Sequence, residues 1–412
     1  MENNISNTEI NNNSQLNKRW SILLAGVITM LFAGVIYAWS ILKVPLSEQY
    51  GWSETMLALN YTFTAIFFCT GGFVGSRLSR LMGVKKSIML AALLASGGII
   101  LTGVINSPSV ICLFITYALM AGGGIGIAYN VLVSTISAWF TDKKGLCSGA
   151  LMMSYSFSTF MLGKVASRLF DLDAFGWRRT YVLLGIVLGL GLLLAAFTLR
   201  LPPQTLSLPQ KKKLGDEGEA ESSTPGEMLK SFTFWRAFLG LALLSAVGST
   251  AISLARDIAL SFGASVSLAT TLVGVLAICN GFGRILTGIV FDTLGRRITM
   301  IGAGVLTVVA AAVTLVALLN SSLVLGIIGL CLTGMSYGTS PTVSAAFTAS
   351  FYGPKHFATN FSIMNFNLVL ASFVVTLSSS IMTSTGGYIA PFILLVGLAL
   401  LSLALYISIK KK

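Results

Sequence analysis

Read for polarity alone, the 412-residue chain is a succession of apolar runs separated by short charged or Pro/Gly/Asn-containing breaks. Each run is about 20 residues long, the length an α-helix needs to cross the hydrocarbon core of a bilayer. Twelve runs lie near 20–42, 54–76, 87–105, 110–137, 146–168, 178–200, 236–260, 268–291, 298–319, 323–349, 359–383 and 389–409. The strictly alternating segments of about ten residues that build membrane barrels are absent. The pattern predicts an all-α membrane protein with twelve transmembrane helices.

One long hydrophilic interruption, from about Leu201 to Trp235, contains KKKLGDEGEAESSTPGE. Its charge of both signs and its Ser, Gly and Pro content predict a flexible linker, with too few apolar residues for a core. The expected organisation is a disordered tail at 1–17, a six-helix bundle at 18–200, a linker at 201–235, a second six-helix bundle at 236–409 and a short tail at 410–412. Two such pseudo-symmetric bundles are a known transporter layout, with the substrate bound between them near the bilayer midplane.

Composition narrows the function classes. Hydrophobic residues make up 55% of the chain and charged residues 10%, with a mean hydropathy of +0.84, so too few charges exist to cover a soluble surface. The net charge of +13 sits largely in short loops beside apolar spans, including Lys18, Arg19, Lys85, Lys86, Lys143 and Lys144. Topology and anionic lipid account for that charge without nucleic acid. The bias predicts a multi-pass protein of the cell (inner) membrane with both termini cytoplasmic. The five cysteines lack metal-like spacing, and no nucleophile, base and orienter recur together. The expectation is a carrier and not an enzyme, without metal or cofactor, working as a monomer. His356 falls in an inner loop and reads as solvated.

The candidate chemistry centres on Arg284, which stands within an otherwise uncharged run, LATTLVGVLAICNGFGRILTGIVF at 268–291. A charge near a helix centre costs about 2.5–3.5 kcal/mol on insertion scales and marks a partner, a cavity or an anionic ligand. Asn280 lies four residues earlier on the same face. Arg284 is eight residues from Asp292, roughly 12 Å along the helix axis and close to half the hydrocarbon thickness. A guanidinium grips a carboxylate through two parallel hydrogen bonds, so the predicted ligand is a small carboxylate. Asp257, at the outer end of the seventh span, has three open readings: a proton site, an outer-gate partner for Lys164 or Arg168, or a solvated helix-end acid.

Two loops repeat a pattern. The second half has Gly288-x-x-x-Asp292-x-x-Gly295-Arg296-Arg297, while the first half keeps Gly83, Lys85 and Lys86 but places Arg80 at the acid position. The second loop resembles the major facilitator superfamily motif, which implies a conformational latch at Asp292, Gly295, Arg296 and Arg297. Further along, Gly122, Gly123, Gly124 and Gly126 precede Trp139-Phe140-Thr141-Asp142-Lys143-Lys144-Gly145-Leu146-Cys147-Ser148-Gly149, and Gly176-Trp177-Arg178-Arg179 opens the sixth span. These segments resemble the oxalate/formate antiporters and the related monocarboxylate transporters. The resemblance implies alternating access, a substrate-binding arginine at Arg284 beside Asn280, and an aromatic cavity of Tyr37, Tyr129, Tyr155 and Tyr337. The second cation and the tenth-helix Trp of the oxalate pattern are replaced, near Leu368 and Thr333 respectively. A lone deep cation fits a monocarboxylate such as lactate, pyruvate, formate or acetate, carried by proton symport. Exchange such as oxalate/formate antiport, or carriage of a larger organic anion or drug, stands as the alternative.

Overall fold

The computed structural model describes residues 2–172, 175–203 and 222–409. The chain divides into two compact units, residues 1–212 and 213–412. Residues 204–221 and 410–412, and with them most of the expected linker and the final lysines, lie outside the described residues.

The first unit opens with α1 (Glu2–Ala33), a 3₁₀ segment Gly34–Ala38 and α2 (Trp39–Tyr50). Helix runs back through 2–17, the stretch that polar composition predicts as a disordered tail. The first span also reaches Tyr50, not residue 42, and is broken at Gly34. A Cβ there would collide with the Tyr155 carbonyl, so the close approach of two backbones fixes this glycine.

Next come α3 (Glu54–Leu81), α4 (Gly83–Val104) and α5 (Val110–Leu113). A π-helical segment, Phe114–Gly122, runs into α6 (Gly123–Ser137), followed by α7 (Lys144–Phe170) and α8 (Gly176–Thr198). α4 packs on α8, α3 on α6 and α1 on α7. The α3–α6 seam is made by small residues: a Cβ on Gly126 would strike the Phe68 carbonyl, and one on Gly75 would lie 2.9 Å from Ile127 Cα. Such residues let helices approach closely where lipid supplies no hydrophobic drive between them.

The second unit begins with α9 (Pro225–Lys230), opened by a capping box in which the Thr224 amide donates to Glu227 Oε2 at 2.7 Å. That bond, with the Thr224 hydroxyl contact, holds the Glu227 carboxyl below its ordinary value. Then follow α10 (Phe232–Ser253), α11 (Ala255–Ser261), α12 (Val266–Leu294), α13 (Arg296–Leu319), α14 (Leu323–Phe351), α15 (Phe357–Asn365), α16 (Asn367–Thr385) and α17 (Ile389–Ile407). One apolar core gathers Phe262, Leu272, Leu276, Phe392 and Leu395, and another Phe234, Phe238, Phe347 and Met364.

The eleventh span is interrupted at Phe366, where buried amides join neighbouring helices. Ser344 Oγ donates to Asn365 Oδ1 at 3.3 Å, and Ser245 Oγ to Asn367 Oδ1 at 3.4 Å.

Among the described residues, ten helical stretches are long and apolar enough to cross a membrane. The remaining two expected spans, 54–76 and 146–168, coincide with α3 and α7. These carry polar residues, Asn60, Tyr61, Thr62 and Thr64 in α3 and Ser154, Tyr155, Ser156 and Ser158 in α7, while keeping the length of a span.

Candidate functional site

Arg284 is set in the middle of α12, whose first turn is capped by Ser265 accepting from the Leu268 amide at 3.2 Å. Its side chain is only 1% exposed, which makes it the largest fully buried side chain described. The spacing of four puts it beside buried Asn280, and Nε donates to Asn280 Oδ1 at 3.1 Å. A buried ion without such compensation costs several kcal/mol. The Asn280 carbonyl dipole offsets part of that cost while leaving the positive charge in place.

α14 supplies the wall. A Cβ on Gly334 would lie 2.6 Å from the Leu276 carbonyl, and one on Gly338 would collide with the Asn280 carbonyl. The missing side chains allow α14 to lie directly on the turn of α12 that holds the cation. Thr342 Oγ1 then donates to the Arg284 carbonyl at 3.3 Å. Tyr337, on the same helix, is buried with its ring against Gly248 of α10, where a Cβ would meet it at 2.5 Å. The second unit therefore gathers three of the expected residues, Asn280, Arg284 and Tyr337, on a close-packed pair of helices.

The first unit gathers the other three. Tyr37, in the 3₁₀ break, meets Tyr155 edge to face with ring centroids 5.1 Å apart. Tyr129 lies 5.1 Å from Tyr155 and 5.1 Å from Phe68, and its hydroxyl donates to Met152 Sδ at 2.6 Å. Centroid spacings of this size are the favourable range for aromatic pairs, which carry polar hydroxyls on an apolar body.

In the loop expected to act as a latch, Gly295 has φ +82° and ends α12, its amide donating to the Phe291 carbonyl at 3.1 Å. Arg296 is buried with its guanidinium 4.6 Å from the Phe351 ring centroid, Arg297 is exposed, and Asp292 is half-buried. Gly83 in the first-half loop has φ +83°. Both turns thus use the left-handed region that glycine enters without a Cβ penalty. Arg80, standing where the motif has an acid, donates through Nε to its own helix at Ser76 O, 3.3 Å away.

Asp257 is exposed on the short α11, because the seventh span ends at Ser253 and not at residue 260. It faces Tyr388, whose phenol is raised above its ordinary value by partial burial and by the Asp257 charge. Lys164 is exposed with its ammonium 4.2 Å from the Phe160 ring, and Arg168 is exposed, both in the other unit. Among the described residues no Asp or Glu lies buried in the middle of a span; His356 is half-buried at the start of α15.

A pair that spacing could not announce joins residues 123 positions apart. Arg19 Nη1 donates to Asp142 Oδ1 at 2.8 Å, with side chains 8% and 9% exposed. The guanidinium also lies 5.0 Å from the Phe140 ring centroid. The Asp142 loop was conspicuous in the sequence, but the only local signal for Arg19 was a basic residue before an apolar span.

Comparison with known proteins agrees with this architecture. The Major Facilitator Superfamily model matches residues 22–256 and 237–412. An Escherichia coli protein described as an uncharacterized MFS-type transporter, YhjX, is 25% identical over 84% of this chain and 84% of its own. The oxalate:formate antiporter of Oxalobacter formigenes is 25% identical over 83% of this chain and 80% of its own. Human monocarboxylate transporter 12 is 30% identical over 27% of this chain and 21% of its own. The solved proton:xylose symporter XylE superposes with a TM-score of 0.78 at 14% identity, covering 96% of both chains. A family match spanning both units, on a multi-pass helical framework, makes this chain a member of the Major Facilitator Superfamily.

Proposed function

We propose that this protein is an alternating-access carrier of small monocarboxylates, with Arg284 as the group that holds the carboxylate. The observation that carries this reading is a guanidinium buried in mid-span and oriented by Asn280. A planar fork of donors in a low-dielectric setting pairs with a carboxylate more strongly than it would in water. Tyr337 and the Tyr37, Tyr129 and Tyr155 cluster are assigned substrate contact through ring faces and hydroxyls. The charge count favours a monoanion. Among the described residues the buried cations are Arg19, Arg284 and Arg296, and the first and last stand at the ends of their spans. The oxalate:formate antiporter and monocarboxylate transporter relatives support a carboxylate class.

Binding itself offers a route to coupling. A carboxylate on Arg284 cancels a buried charge, so the loaded carrier reorients more readily than the empty one. Proton symport is the coupling proposed from sequence. Exchange is a second reading, favoured by the lack of an acid buried in mid-span among the described residues, because it requires no titrating group. The basic loops support a cell-membrane location with both termini cytoplasmic.

Thermal unfolding of the purified carrier with lactate, formate, oxalate and a neutral sugar tests the assignment. A binding ligand raises the midpoint by mass action. Lactate or formate should do so in the wild type and not in Arg284→Gln; an equal rise in both proteins would refute the role of Arg284.

A further inference from the structure

The α12–α14 seam has a fixed register that places two thiols together. A Cβ on Gly283 would collide with the Met335 carbonyl, and one helical turn earlier on the two helices stand Cys279 and Cys331. Closer still, a Cβ on Gly334 would lie 3.2 Å from Cys279 Cβ. The Cys279 and Cys331 thiols are close enough to interact electrostatically, and both residues are only half-buried. Nothing in the proposed carboxylate chemistry uses them.

We propose that Cys279 and Cys331 form a two-thiol site for a soft, divalent, linearly coordinated cation, the mercuric ion. Thiolate sulfur is the ligand type that soft metals select. On binding, the two S–H bonds break, two S–Hg bonds form, two protons leave to water and no oxidation state changes. The charges then cancel, since one dication meets two thiolates, and a neutral complex suits a helix pair at membrane depth, where net charge is costly. A cuprous ion in the same site would leave one negative charge. Structural zinc takes four ligands, and among the described residues no group of three or more His, Cys, Asp or Glu stands ready to hold a metal ion. The bridge would tie α12 to α14 one residue from Asn280 and five from Arg284, making the site a clamp on the helix pair that carries the buried cation.

The test uses the purified full-length protein, one equivalent of mercuric chloride, a wash with a monothiol, and a pulse of N-ethylmaleimide before denaturation and peptide mass spectrometry. Mercury should abolish labelling of Cys279 and Cys331 together. In Cys331→Ser, Cys279 should be labelled as fully as without mercury, and the converse should hold for Cys279→Ser. Protection of Cys279 that survives Cys331→Ser, or protection falling instead on Cys69, Cys112 or Cys147, would overturn the site. Native mass spectrometry of the wild type gives a reading that no variant need fold for. One mercury with two protons lost and no chloride retained supports the bridge, whereas a retained chloride means attachment to a single sulfur and contradicts it.

Discussion

Among single residues, the side chain on which carboxylate binding is proposed to depend is Arg284. Arg284 differs from the chain's surface cations in being buried in mid-helix with Asn280 one turn away. A hydrogen bond to a charged group contributes about 1.5–3 kcal/mol, so losing a bidentate pair in Arg284→Gln should weaken carboxylate affinity roughly 100-fold or more. Arg284→Lys keeps the charge but not the fork, and should recover only a small part of that loss. Titration of binding heat against lactate checks both variants; lysine matching arginine would mean that charge alone suffices. Asn280→Ala should cost less, about tenfold, because it loosens the guanidinium without removing it. Arg284 and Asn280 were legible in the sequence because a charge in an apolar run is conspicuous and four-residue spacing fixes a helix face. The Arg19–Asp142 bridge was not, because nothing local links positions 123 apart. Asp142→Asn should strand Arg19 in a buried setting and lower stability by about 3–5 kcal/mol, while the double change Arg19→Met with Asp142→Leu should cost clearly less. Unfolding midpoints of the two variants decide this, and equal losses would show that the pair's charges are not what matters.

At the element scale the glycines divide into those that a neighbouring backbone requires and those with open space. Gly126 lies against the Phe68 carbonyl, whereas a Cβ on Gly302 would meet nothing within 4 Å. Gly126→Ala should therefore cost about 1–3 kcal/mol through overpacking. Gly302→Ala should be neutral or stabilising by up to about 1 kcal/mol, since a helix interior favours alanine. Thermal melts in one detergent compare the two, and a tolerated Gly126→Ala would mean that α3 and α6 are not packed backbone to backbone. Apolar run length made the spans readable, but three irregularities escaped it. The break at Gly34, the π-helical stretch ahead of Gly123 and the interruption at Phe366 arise from packing and hydrogen bonds made by distant helices. Periodicity carries no trace of these. The same limit explains Asp257. Apolar residues continue past Ser253, so the sequence extends the seventh span, yet the chain turns at Leu254 and leaves the acid exposed on α11.

At the scale of the whole molecule, the two units share a helical plan and the left-handed glycine turns at Gly83 and Gly295. They differ in chemistry: the first presents clustered tyrosines, the second a cation buried in mid-span. If Arg284 holds the carboxylate as proposed, charge selectivity is concentrated in one half, so substitutions of Tyr155 and Arg284 should separate in effect. Tyr155→Phe should alter which monocarboxylate is preferred while keeping transport, and Arg284→Gln should remove it. The most direct measurement is uptake of labelled lactate and formate into liposomes containing the purified wild type or Arg284→Gln, with an inward proton gradient in one series and trapped unlabelled formate in another. The account predicts saturable wild-type uptake in at least one series and background uptake by Arg284→Gln in both. Full uptake by Arg284→Gln, or none by the wild type under either gradient, would contradict it.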